Sequence, residues 1–81
     1  MNAAEPILDY LQNQIPDYPF DRKLDEEFVH ELIADFQDLN ILEETKTFRW
    51  YHNNRPAARF KNVRVGLRRW IANSWAIRRA T

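Results

Sequence analysis

Nine Lys and Arg side chains crowd into positions 49–79: Arg49, Arg55, Arg59, Lys61, Arg64, Arg68, Arg69, Arg78 and Arg79. Eight are arginine, whose guanidinium grips phosphate as a fork and stacks on bases. Trp75 falls among Arg64, Arg68 and Arg79 when residues 62–79 are set at 100° per residue. An exposed aromatic amid cations is the composition of a platform on which a single nucleic-acid strand stacks. Arg55, Arg59, Arg64, Arg68, Arg69, Trp75 and Arg79 are therefore the candidate nucleic-acid-binding residues. The competing account pairs these arginines with acids elsewhere in the chain and packs Trp75 on an N-terminal helix or on residues 16–20.

Other chemistry finds little footing. Without cysteine there is no disulfide framework, no thiolate metal site and no Cys–His pair. Ser74 is the only serine, and neither His30 nor His52 bears an evident relation to it. A single glycine cannot build a phosphate-cradling loop. Glu27 and His30 have the Glu-x-x-His spacing of carboxylate-bridged metal bundles. Such sites need a second copy of the motif and further glutamates, and this pair falls on a face expected to be wet. The expectation is a non-enzymatic protein with no cofactor and no metal.

Formal net charge is zero, but the charges are segregated. Residues 1–44 hold all twelve acids and two bases, Arg22 and Lys23; residues 45–81 hold the other ten bases and no acid. The halves carry about −10 and +10, which implies a basic binding surface or a chain that neutralises itself on folding. Eighty-one residues make one domain, 1–81, with a small core. Hydrophobic content of 44% with one Gly and four Pro favours helices over a turn-rich sheet protein. No apolar run reaches the length of a membrane span and no basic-then-apolar leader opens the chain, so a cytoplasmic location without membrane association is expected.

Four helices must position these residues. Ile7, Leu8, Leu11 and Ile15 recur at helical spacing between Pro6 and Pro16, predicting a helix over 5–15. Residues 16–21 read as a linker whose Tyr18 and Phe20 cover an end of the core. Asp25 as N-cap, Glu26 and Glu27 in the first turn, and a Leu24/Val29 staple predict a second helix over 25–37. Its apolar face is Phe28, Val29, Leu32, Ile33, Phe36 and Leu39. A third helix starts at Asn40, with Glu43 three residues on, and ends near Asn53 and Asn54. Ile41, Thr45, Phe48 and His52 form its stripe, and Trp50 points the other way, which either exposes it or, the favoured reading, means that the helix is contacted on two sides. A basic connector follows, with Phe60 turned back to the core. Asn62 caps the fourth helix, whose Val63, Leu67, Trp70, Ile71 and Ser74 face inward. Gly66, beside that face, suggests close approach of another helix. The fold class is all-α: a compact bundle of about four helices, the second and third forming a helix-turn-helix-like pair.

Phe48-Arg-Trp-Tyr51-His52, followed by Val63-x-x-x-Leu67-Arg68-Arg69-Trp70-Ile71, resembles the C-terminal segment of DnaT/DnaD-type primosome and phage replisome-organiser proteins. That segment reads Phe-x-x-Tyr-Trp, then an aromatic, three residues, and aromatic-Arg-Asn-Trp-Leu before a basic tail. Phe48, Tyr51, Arg68, Trp70 and Ile71 match; His52, Val63, Leu67 and Arg69 depart from the pattern. The resemblance covers about a third of the chain, roughly residues 48–74. It implies a helical segment that binds DNA, single-stranded ahead of duplex, in a replication-accessory role, with Arg68 as the transferable contact. The reading from a different class is a protein-interaction module or a self-associating helical domain, its charge asymmetry offered to a protein partner or to a second copy.

Overall fold

In a computed structural model, four helices follow one another: α1 Ala4–Gln14, α2 Arg22–Asp35, α3 Ile41–Asn54 and α4 Val63–Ala80. The structure describes residues 3–15, 17–54 and 62–80, with no strand among them. The bundle is all-α, with α1 packed on α2 and α3, and α3 packed on α4. Among the described residues no helix is long and apolar enough to cross a membrane. Residues 55–61, expected to form the basic connector with Phe60 turned inward, lie outside the described residues.

Three of the four helices, α2, α3 and α4, start where a polar side chain accepts from a free N–H group of the first turn; α1 follows Ala3 without one. In α1, Pro6 occupies the third position, where a missing N–H leaves no bond unmade. Ile15 stands extended (φ −105°, ψ 111°) just before Pro16, as steric pressure from a following proline requires. Asn40 Oδ1 accepts from Glu43 N–H at 3.1 Å to open α3, and Asn62 Oδ1 accepts from Val65 N–H at 3.3 Å to open α4. Both asparagine caps stand where the sequence puts them.

The start of α2 differs from expectation. Its N-cap is Asp21, whose carboxylate accepts from Leu24 N–H at 3.1 Å. Asp25 lies inside the helix and reaches back to accept from Asp21 N–H at 2.9 Å. The two aspartates thus divide the capping work, and the helix begins three residues earlier than predicted. Leu24 is consequently left half in water, and the Leu24/Val29 staple does not form.

The core joins Leu8 and Leu11 of α1, Val29 and Leu32 of α2, Phe48 of α3, and Leu67 and Ile71 of α4, all essentially sealed from solvent. Phe36 and Leu39 close it at the turn between α2 and α3, the pair of helix-turn-helix-like order. The stripe Ile41, Thr45, Phe48 and His52 is buried as its spacing demands. The Thr45 hydroxyl donates to Ile41 O at 2.7 Å, so its burial leaves no donor unmade. Tyr18 and Phe20 pack partly buried against the core, as expected. Trp70 is also only partly buried; it meets Phe48 edge-on at 6.1 Å and Tyr51 at 5.1 Å. Ser74, expected inward, stands half-exposed. Gly66 is buried with a negative φ, so side-chain size, and not access to the left-handed region, selects glycine there.

Trp50 departs most from expectation. It is 63% exposed rather than contacted on two sides. Its neighbours explain this: Arg49 Nε donates to Gln14 O of α1 at 2.6 Å, while Tyr51 meets Trp70 of α4. Trp50, 100° from each, points between those flanks into solvent.

Candidate functional site

The cations of α4 do not form an open strip. Arg64 is the most fully engaged. Its Nε and Nη2 donate to the two carboxylate oxygens of Asp25 at 2.9 and 2.8 Å, a bidentate fork. Nη2 also donates to Pro19 O at 2.5 Å, and the guanidinium stands 5.2 Å from the Tyr18 ring. The Arg64 side chain keeps 15% of its surface and Asp25 none.

Asp25 accepts in addition from the Tyr18 hydroxyl at 2.5 Å and from Asp21 N–H. Burial alone would raise its carboxyl. The bonds from Arg64, the Asp21 N–H and Tyr18, with the Arg64 charge, prevail and hold it below the usual carboxylate range. Burial, then the hydrogen bond to Asp25 and its charge, push the Tyr18 hydroxyl well above its ordinary value. The bond to Asp25 raises the Arg64 guanidinium. Four groups are thereby locked into one node that ties the 17–21 segment and the start of α2 to the first turn of α4.

Further along α4 the pairing continues at lower strength. Arg68 Nη2 lies 3.3 Å from Asp35 Oδ2, its guanidinium 5.5 Å from the Phe36 ring. Arg78 Nη2 lies 3.4 Å from Glu44 Oε1. Arg79 Nη1 lies 3.7 Å from Asp38 Oδ2 and 4.5 Å separates its guanidinium from the Trp75 ring. Trp75 in turn sets its ring edge-on to Phe36 at 5.6 Å. The tryptophan singled out by spacing is thus covered by an arginine on one side and by the core on the other. Exposed pairs like those of Arg68, Arg78 and Arg79 are each worth about 0–1 kcal/mol and exchange readily. The Arg64 node does not.

Of the seven sequence-predicted site residues, the structure brings Arg68, Trp75 and Arg79 together over Phe36, with Asp35 and Asp38 at their edge. It sends Arg64 away to Asp25. Arg69 stands exposed on the outer face of α4, and among the described residues no acid is matched to it. Arg55 and Arg59 lie outside the described residues. Glu27 and His30 are exposed, and no group of three or more metal-ligating side chains exists among the described residues.

Sequence reasoning missed the acidic side of these pairs. Asp25 carried a readable signal: it stands in register with Val29, Leu32 and Phe36, spacings of four, seven and eleven, on the stripe that faces inward. An acid on a buried stripe demands a cation. It also missed a groove along the seam of α1 and α3. One depression there, about 360 Å³, is walled mainly by Pro6, Ile7, Ile33, Leu39 and Leu42. A second, about 300 Å³, shares Pro6 and Leu42 and adds Asp9, Tyr10 and Lys46. Periodicity places residues on faces but does not reveal how two faces meet.

No family model matches the chain, and comparison with curated proteins and with solved structures finds no significant similarity.

Proposed function

We propose that this chain is a non-enzymatic protein-interaction module whose charges serve mainly its own fold. The observation that carries this reading is Trp50, 63% exposed on the outer side of α3, one helical turn beyond Lys46, which borders a groove of mixed polar and apolar lining. Aromatic side chains bury roughly 150–250 Å² when covered, so an indole this open leaves on the order of 2–4 kcal/mol of apolar burial unused. Tryptophan is among the commonest anchors of protein interfaces. The opposing attraction of α4 for phosphate is reduced, because Arg64, Arg68, Arg78 and Arg79 each have a carboxylate partner. The test has two arms. Trp50→Ala, compared with the parent at concentrations too low for self-association, leaves the melting temperature within a few degrees, since the ring adds little to the core. Fluorescence anisotropy with labelled single- and double-stranded oligonucleotides at low salt shows no saturable binding. A marked loss of stability in the variant, or tight salt-dependent binding by the parent, overturns the reading.

A second reading is favoured by one observation, the unmatched Arg69 on the outer face of α4. In it the chain is a DNA-binding replication-accessory protein, as the resemblance of residues 48–74 implies. Arg68 and Arg79 exchange their weak carboxylate bonds for phosphates, and Arg55 and Arg59 add to them. Each such contact contributes about −0.7 to the log–log salt slope on a single strand. The cost is displacement of Asp35 and Asp38, whose charges repel the same phosphates. The anisotropy experiment separates the two readings.

A further inference from the structure

We infer that the α1–α3 face is a self-association surface, on which a second copy of this chain seats its Trp50 in the groove between α1 and α3. This names the partner in the interaction reading above and rests on it. Leu42, Lys46 and Trp50 stand at i, i+4 and i+8 on α3 and form one ridge, about 12 Å from end to end. One end of the ridge is a knob, the open indole of Trp50. The other end is the wall of a shallow hole: Leu42, Pro6 and Tyr10, with the polar Asp9, Asn13, Gln14 and Lys46, border the depression of about 300 Å³, at the small end of the range that admits an organic ring.

Knob and hole on one ridge are what a two-fold interface requires, because each surface must complement itself. A two-fold axis through Lys46 places Trp50 of each copy over Leu42 of the other, so both knobs and both holes are used. Ridges of i±4 spacing interdigitate at a crossing angle of about −50°. A second copy supplies both complements at once, at the spacing that the ridge itself sets.

Charge agrees. Two Lys46 side chains approach the axis, and acids surround them. Glu43 lies 3.5 Å from Lys46 in the same chain. Asp9, on the α1 wall of the same groove, has no cation matched to it among the described residues. Across the axis Lys46 of one copy meets Asp9 of the other. A wholly acidic or wholly basic partner would leave one of these signs opposed.

Sedimentation equilibrium of the full chain at neutral pH tests this, with circular dichroism as the check on folding. The parent shows a concentration-dependent rise from monomer to dimer mass. Trp50→Ala, folded as the parent, raises the dimer dissociation constant at least about thirty-fold, as loss of a central anchor does. Asp9→Lys also weakens the dimer, and adding Lys46→Glu to it restores part of the loss. A parent that stays monomeric at high concentration overturns the proposal but leaves the interaction reading standing, whereas nucleic-acid binding by the same sample removes that reading as well. A dimer that neither Trp50→Ala nor Asp9→Lys weakens overturns the assigned face. The charge-swap rescue distinguishes a contact across the axis from general damage to α1.

Discussion

Replacing Asp25 with asparagine should do more harm than any other single isosteric change in this chain. The carboxylate takes four hydrogen bonds, from Tyr18 Oη, Asp21 N, Arg64 Nε and Arg64 Nη2, at 2.5–2.9 Å, and has no solvent to fall back on. An amide in its place removes the charge that compensates Arg64 and turns one acceptor into a donor facing donors. Breaking a buried ion pair by neutralising one partner costs about 3–5 kcal/mol, because the other charge is left buried. Arg64 keeps its bond to Pro19 O and a little solvent, which places the effect at the lower end, about 3 kcal/mol. A domain of 81 residues has on the order of 4–12 kcal/mol in total, so the variant sits near the edge of folding. Urea denaturation followed by circular dichroism at neutral pH reads the difference. Replacing both partners with apolar residues, Asp25→Leu with Arg64→Met, should recover a large part of the loss, since the uncompensated charge goes with its partner. A loss below about 1 kcal/mol in Asp25→Asn would show that water or another acid reaches Arg64, and the node would not be the anchor described.

Three further outcomes follow from the same geometry. Phe36→Ala should cost roughly 3–5 kcal/mol, because the ring closes the core and supports both Trp75 and Arg68; an unchanged melting curve would refute the packing. Stability should fall at both ends of the pH range. The Tyr18 hydroxyl, raised in the folded state, contributes fully below its unfolded value of about 10 and loses that contribution as pH climbs toward the folded one; Asp25, depressed, contributes above about 4 and loses as pH drops through its folded value. Urea midpoints in acid, neutral and alkaline buffer check this, and Tyr18→Phe should flatten the alkaline limb. Finally, if anisotropy does detect oligonucleotide binding, Arg69→Ala should reduce the salt slope by about 0.7 with no change in melting temperature; an unaltered slope would exclude Arg69 from the contact.

The fold was legible because its determinants are local. The stripe of α3 is buried at all four predicted positions, and the asparagine caps at 40 and 62 hold the N–H groups they were expected to hold. Where local signals compete, legibility fails. Asp21, Asp25, Glu26 and Glu27 all have cap or first-turn chemistry; the register of Asp25 with Val29 and Leu32 turns it inward, and Arg64 of α4 supplies the cation that lets it stay there while Asp21 caps. Trp50 shows the converse limit. Its size argues for burial, yet the flanks of α3 are taken by α1 and α4, and a one-dimensional pattern does not reveal which direction is left vacant.

The candidate site failed to follow from the sequence for a related reason. The wheel for residues 62–79 placed Arg64, Arg68 and Arg79 together on one side of a helix, set apart from the apolar stripe, although Arg64 falls at the very edge of that side, beside Ile71. What it omitted is that this side is an interface too. α4 rests its apolar stripe on the core and leans its arginine edge on α2 and on the turn that follows it, where Asp25, Asp35 and Asp38 wait at successive levels. The gradient along that edge is graded by burial: a sealed fork at Arg64, an exchangeable bond at Arg68, a loose one at Arg79. Electrostatic energy follows the same order, since screening grows with exposure. The segregation of acids into the first half and bases into the second is therefore met in part within the molecule, by three pairs along this edge. On the outer face of α4, among the described residues, Arg69 stands exposed beside Val65 and Ala76. The face that spacing alone made most conspicuous is thus the one whose cations carry carboxylate partners.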